Sequence, residues 1–229
     1  MWLLALAIAP GIAISIYIYW KDKYDKEPAR LLIAAFLWGI ASTIPTLMLE
    51  GIVEGAGIFH QTSLVKTAIY SFAGIGLIEE LCKFLFVYIF LFPKAAFDEP
   101  FDGITYSVLV AMGFATLENI AYVVDNGLST AIVRMFTAVP AHAAFGVIMG
   151  FFMGLAKFDK SQSNTYLAYA VFVPAILHAA YDFPLILSIS QTPEWIGEYK
   201  ILGAFITLII AIWLSRRAIK IHQYNSPFK

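Results

Sequence analysis

The chain has 229 residues, 60% of them hydrophobic and only 14% charged, with a mean hydropathy of +0.77. A soluble domain carries about 45–50% apolar and about 25% charged residues, so this composition excludes an ordinary water-soluble core and coat and points to one membrane domain over 1–229. The net charge of -1 and the lack of a basic run interleaved with aromatics give no nucleic-acid surface; the single cysteine, Cys82, excludes a disulfide framework and a thiolate metal site.

A spanning helix needs about 20 predominantly apolar residues. Seven such stretches are predicted, at 2–20, 31–49, 68–92, 103–124, 131–155, 165–189 and 199–215, an all-α polytopic membrane fold with its catalytic core in the third to sixth. The first has no Lys or Arg before it and a basic flank after it (Lys21, Lys23, Lys26, Arg30), the pattern of a retained span and not of a cleaved signal. Glu50 and Glu54 fall at the outer boundary of the second, where solvation is expected; the link 50–67, with Gly51, Gly55 and Gly57, reads as loop or short surface helix. The third carries Glu79, Glu80 and Lys83, the fourth Glu118 and Asn119, the fifth His142, and the sixth His178 and Asp182. Arg134 is expected to snorkel to the outer interface, and Cys82 to be a packing residue. Tyr17, Tyr19, Trp20, Trp195 and Trp213 lie near span ends, as interfacial anchors do.

Basic residues concentrate in the links at 21–30, 93–102 and 156–164 and in the tail, whereas the opposite links hold only Lys66 and Lys200. The positive-inside rule therefore predicts an N-terminus outside and a C-terminus in the cytoplasm.

A charge at the centre of a spanning helix costs about 2.5–3.5 kcal/mol on insertion scales, so the ionisable residues inside the spans are the functional candidates. Their depths agree: at 1.5 Å per residue, Glu79, His142 and His178 lie roughly 16 Å below the outer end of their helices and Glu118 roughly 9 Å. Spacing groups them further. Glu79 and Lys83 are four apart, as are Phe114 and Glu118, and His178 and Asp182, so each pair shares a helix face. Ala138, His142, Gly146, Gly150 and Gly154 also recur every four residues, a small-residue row that lets another helix pack closely and aims His142 at a helix contact.

Taken singly, each has a structural reading. Glu79–Lys83 is a buried ion pair, His142 an interhelical hydrogen bonder, Asp182 the group that orients His178, and Asn119 a helix–helix link. Taken together, three glutamates and two histidines exceed what one lysine neutralises. Adjacent carboxylates in low dielectric supply a general base, a held water supplies the nucleophile, and an imidazole supplies a donor to a developing oxyanion. That is the parts list of a water-activating hydrolase. Two His plus Glu can also bind zinc, but there is no HExxH and the histidines sit on different helices, so no metal or other cofactor is assigned.

Glu79-Glu80-x-x-Lys83, Phe114-x-x-x-Glu118-Asn119, His142 with its glycine row, and His178-x-x-x-Asp182 resemble the four motifs of the PrsW family, as does the stretch Lys21-Asp22-Lys23-Tyr24-Asp25-Lys26-Glu27-Pro28. The likeness runs from about residue 9 to about 220. It implies a bacterial cell-membrane intramembrane protease of glutamic type that makes the site-1 cut in a membrane-anchored anti-sigma factor, releasing an extracytoplasmic-function sigma factor. Carried over by motif, Glu79, Glu80 and His178 are the first catalytic candidates, Glu118 and His142 the second, with Lys83, Asn119 and Asp182 supporting. The family is similar to the wider CAAX-protease and bacteriocin-immunity superfamily, from which this chain departs in having Glu118 where a histidine is usual. Two other classes are compatible with buried ionisable residues: a proton- or cation-coupled transporter, against which stands the lack of an internal repeat, and a non-catalytic membrane scaffold.

Overall fold

The computed structural model describes residues 2–57, 63–189 and 194–229, with side chains described over 2–57, 63–187 and 201–229. Its described residues form helices and no strand: α1 (Trp2–Lys21), α2 (Ala29–Gly55), α3 (Leu64–Ile69), a π-helical segment (Tyr70–Gly76), α4 (Leu77–Phe90), α5 (Pro100–Phe136), α6 (Ala138–Phe158), α7 (Ser163–Ile189) and α8 (Glu194–Tyr224). Among the described residues, five stretches are long and apolar enough to cross a membrane: Trp2–Lys21, Ala29–Gly55, Pro100–Phe158, Ser163–Leu187 and Ile201–Tyr224. These cover six of the seven predicted spans, since the fourth and fifth both lie within Pro100–Phe158. The third falls on the unbroken helical run α3–π–α4, whose pieces of 6, 7 and 14 residues are each too short alone.

The link expected at 50–67 is shorter than the sequence suggests. Helix α2 continues to Gly55, and Ser63 caps α3 by accepting from the Lys66 N–H. Trp20 is exposed at the end of α1, as an anchor should be; Trp213 is exposed but falls mid-helix, because α8 runs on to Tyr224, and Trp195 lies outside the described side chains.

Helix α5 is the axis of the molecule. Every residue from Phe101 to Thr116 is buried. Its start is set by Pro100 in the first turn and by a reciprocal capping box, in which Asp102 Oδ2 accepts from the N–H groups of Asp98 and Glu99. The glycine row of α6 packs directly on it. Gly146 faces Ser107, Val108 and Ala111; Gly150 faces Gly103 and Ile104; Gly154 faces Pro100. The two helices therefore run antiparallel with backbones in contact, as the four-residue spacing predicts. On the opposite side, α2 crosses α5 at Gly39 and Gly113, where a Cβ on Gly113 would lie 3.1 Å from Gly39 Cα and overlap the Phe36 carbonyl oxygen.

Helix α5 changes direction at Gly127, whose φ of 77° is open to glycine and strained for other residues. Thr137, also non-helical, separates the following segment from α6. The short stretch between these two breaks folds back along the C-terminal part of α5, bringing Arg134 to Glu118 and Asn119.

The end of the bundle opposite this turn is closed by acids. Asp22, Glu27, Glu99 and Asp102 are all buried. Tyr106 donates to Glu27, Ser226 of the tail donates to Glu99, and Lys26 holds the carbonyls of Tyr19 and Asp22 at 2.6 Å each. Burial, helped by the neighbouring Glu99 charge, pushes the Asp22 carboxyl up to about 7; burial raises Glu27 and Glu99 too. A group whose folded pKa lies above its unfolded value stabilises the fold most when protonated in both states. The Asp22 contribution is thus complete below about pH 4 and lost as pH rises through about 7. We expect unfolding midpoints in detergent to fall from pH 5 to pH 8, and Asp22→Asn to flatten that fall. An unchanged slope in the variant would show that Asp22 is not responsible.

Candidate active site

The π-helical segment leads directly into α4, and α4 places Glu79 and Glu80 at its start with Lys83 one turn on. All three are buried, Glu80 completely. Lys83 Nζ donates to Glu79 Oε2 at 3.0 Å, to Glu80 Oε1 at 2.8 Å and to His142 Nδ1 of α6 at 3.2 Å. Its ammonium also lies 4.1 Å from the Phe114 ring centroid, so the phenyl face of α5 completes its shell.

With His142 Nδ1 accepting from Lys83, its other nitrogen carries the proton. His142 Nε2 donates to Glu118 Oε2 at 2.9 Å. Glu118 is also held by Arg134, whose Nη2 donates to the same oxygen at 2.8 Å while its Nε donates to Asn119 Oδ1 at 2.9 Å. Asn119 in turn donates to the Ala7 carbonyl of α1 at 2.9 Å, the interhelical role expected of it.

His178 on α7 faces α4. Its Nδ1 lies 3.0 Å from Glu80 Oε1 and its Nε2 3.2 Å from Asp182 Oδ2 and 3.9 Å from Glu79 Oε2. A ring with a carboxylate on each nitrogen donates from both only when it carries both protons. Phe145 stacks on the ring at 5.0 Å between centroids, and His142 meets it edge-on at 5.1 Å.

All eight predicted site residues thus join one hydrogen-bonded array, and the array is reached by two cavities. One, of about 340 Å³, is walled by α2, the π segment, α4 and α5, and includes Thr46, Glu50, Tyr70 and Leu117. The other, of about 530 Å³, opens between α5, α6, α7 and α8 and includes His178, Asp182, Tyr181, Arg134 and Phe205. Ile75, Glu79, Glu118 and Tyr122 belong to both walls. Glu80 and Lys83 belong to neither, so they stand behind the reactive surface.

Two expectations are corrected. Arg134 does not snorkel outward: the turn at Gly127 returns it to Glu118, where its guanidinium also stacks 4.0 Å over Tyr122. Glu50 is not simply solvated. It is half-buried in the wall of the first cavity, although Glu54 one turn further is exposed as expected. The signal for Arg134 was its charge inside an apolar stretch; the fold-back that uses it depends on one glycine. Arg134→Ala should release Glu118 and lower any catalytic rate by about 100-fold, the order that a small misplacement costs. Arg134→Lys should not restore it, because a single ammonium does not reproduce the two-point grip on Glu118 and Asn119. Steady-state cleavage by the two variants checks this.

Glutamates, imidazoles and a positioned guanidinium, sequestered among membrane-spanning helices and reached by cavities, define a multi-pass membrane hydrolase. The PrsW-protease profile, described as the PrsW family intramembrane metalloprotease, matches residues 27–218. The chain is 40% identical over 211 residues to Protease PrsW of Geobacillus kaustophilus, covering 92% of this chain and 87% of that one. It is 38% identical over 184 residues to Protease PrsW of Bacillus subtilis (80% and 82%), and 35% over 191 residues to that of Clostridioides difficile (81% and 79%). No solved structure matches. The chain belongs to the PrsW family of intramembrane proteases.

The family description carries a metal, whereas the motif resemblance implied a glutamic type. Glu79, Glu80, His142 and His178 are donors of the right chemistry, with ligand atoms all within 4.8 Å of one another. As arranged they do not fit an ion. Three of the four are hydrogen-bonded to the Lys83 ammonium, and the fourth, His178, has a carboxylate on each nitrogen.

Proposed function

We propose that the protein cuts a single-span anti-sigma factor on its extracytoplasmic side by means of a water activated at Glu79, the first step in releasing an extracytoplasmic-function sigma factor. One observation carries the assignment of Glu79: it is the glutamate of the pair that lines both cavities, 3.9 Å from His178, while Glu80 is sealed away.

Water in the cavity gives its proton to Glu79 as its oxygen attacks the scissile carbonyl. His178, its Nδ1 fixed by Glu80, turns the Nε2 proton that it shares with Asp182 to the oxyanion and then gives that proton to the leaving amine. Glu118, held by His142 and Arg134, fixes the water from the other side. Lys83 and Glu80 hold this geometry without touching substrate. The larger cavity, with Val133, Leu185, Ile201, Phe205 and Leu208 in its wall, suits an unwound apolar segment of the substrate. The concentration of basic residues in alternate links supports an N-terminus outside and a C-terminus in the cytoplasm over seven crossings, with the cluster in the middle to outer half of the bilayer.

The test is cleavage of a purified single-span anti-sigma factor co-reconstituted with the full chain, with mass spectrometry of the product ends. A cut at or just outside the outer membrane boundary is expected. A cut on the cytoplasmic side, or none, defeats the proposal.

A further inference from the structure

We propose that the Lys83 ammonium occupies the position a divalent metal would take, so that the native site binds no ion and removal of this one charge creates a metal site. Four buried donors from three helices converge here, an arrangement that elsewhere holds zinc. Such convergence needs a cation at its centre, and this chain supplies its own. An ammonium has three N–H groups, and each has an acceptor: Glu79 Oε2, Glu80 Oε1 and His142 Nδ1. The Phe114 face covers the remaining side, and Lys83 is only 1% exposed.

An ion could enter only by displacing this ammonium or by lying against it, like charge against like charge in surroundings that screen them poorly. It would also lose His142 as a ligand, because Nδ1 is engaged by Lys83 and Nε2 bears the proton given to Glu118. Glu80 Oε2, buried without a hydrogen-bond partner, is the acceptor that an ion could use once the ammonium is gone. A methionine at position 83 removes the charge and all three N–H groups while filling a similar volume.

The experiment uses the full chain in detergent micelles, stripped with EDTA and titrated with cobalt(II), which reports four-coordinate nitrogen–oxygen sites by intense visible bands. Wild type should show no such bands and retain far less than one metal per chain after dialysis. Lys83→Met should bind about one cobalt per chain and lose it to zinc. Cobalt bands at one equivalent in the wild type overturn the proposal, and so does a folded Lys83→Met variant that binds none. If the variant does not fold, the wild-type titration still decides. Because the readout is bound metal, it is independent of any result on cleavage.

Discussion

Replacing Glu79 by glutamine should lower the cleavage rate by about 10²–10⁴-fold, the range attributed to a positioned general base, while leaving the fold intact. The amide keeps the shape of the side chain and can still accept from Lys83, so the hydrogen bond behind the site survives. What is lost is the carboxylate proposed to take the proton of water, at the surface shared by both cavities. Glu80→Gln provides the contrast. Glu80 Oε1 lies between Lys83 at 2.8 Å and His178 at 3.0 Å, fully buried and away from either cavity. Removing one partner from a buried charged set costs about 3–5 kcal/mol, so this variant should show a lowered unfolding midpoint as well as reduced activity. His178→Ala should fall by about 10²–10³-fold through loss of the oxyanion donor. Rates within about threefold of wild type for Glu79→Gln would remove it from the chemistry, a threshold far below the effect of a general base.

The second large effect should come from a residue with no chemistry. Gly113→Leu is expected to prevent stable assembly. Helices in lipid associate through close packing and not through exclusion of water from apolar surface, so small residues at a crossing set how near two backbones come. At the α2–α5 crossing, the atoms that a side chain on Gly113 would meet are the Phe36 carbonyl and Gly39 Cα. Both are backbone, which cannot rotate aside as a flexible side chain would. Overpacking a well-filled site costs about 1–3 kcal/mol when neighbours can shift, and more is expected here because the whole of α2 must move. Gly51→Ala is the control. It lies on α2, the other helix of that crossing, with nothing within 4 Å of the added carbon, and should be neutral or stabilising by up to about 1 kcal/mol. Thermal unfolding in detergent distinguishes the two; equal midpoints would mean the crossing is not tightly packed.

Much of this was readable from spacing because the relevant interactions are periodic. Residues four apart on a helix must share a face, so Glu79 with Lys83 and His178 with Asp182 were legible as pairs, and the glycines of α6 as a contact row. The convergence of polar groups at one depth was legible because the helices alternate in direction. Three features were not. The Lys83–His142 bond joins residues 59 apart on separate helices, and no local period encodes it. The return of Arg134 to Glu118 depends on a left-handed turn at a single glycine, which a hydropathy pattern does not record. The π-helical segment inserts its own register ahead of α4, so counting at 3.6 residues per turn from the start of the third span misplaces everything from Leu77 onward.

The shared wall at Glu79 carries a further implication. A hydrolase embedded in oil needs two arrivals, a greasy chain and a polar molecule that oil repels, and a single doorway would make each obstruct the other. Here the carboxylate stands where two rooms adjoin, one flanked by α7 and α8, the other by α2 with Glu50 on its side. On the proposed mechanism, a guest filling the first would leave the second free to bring water to Glu79 from behind while the guest is seated.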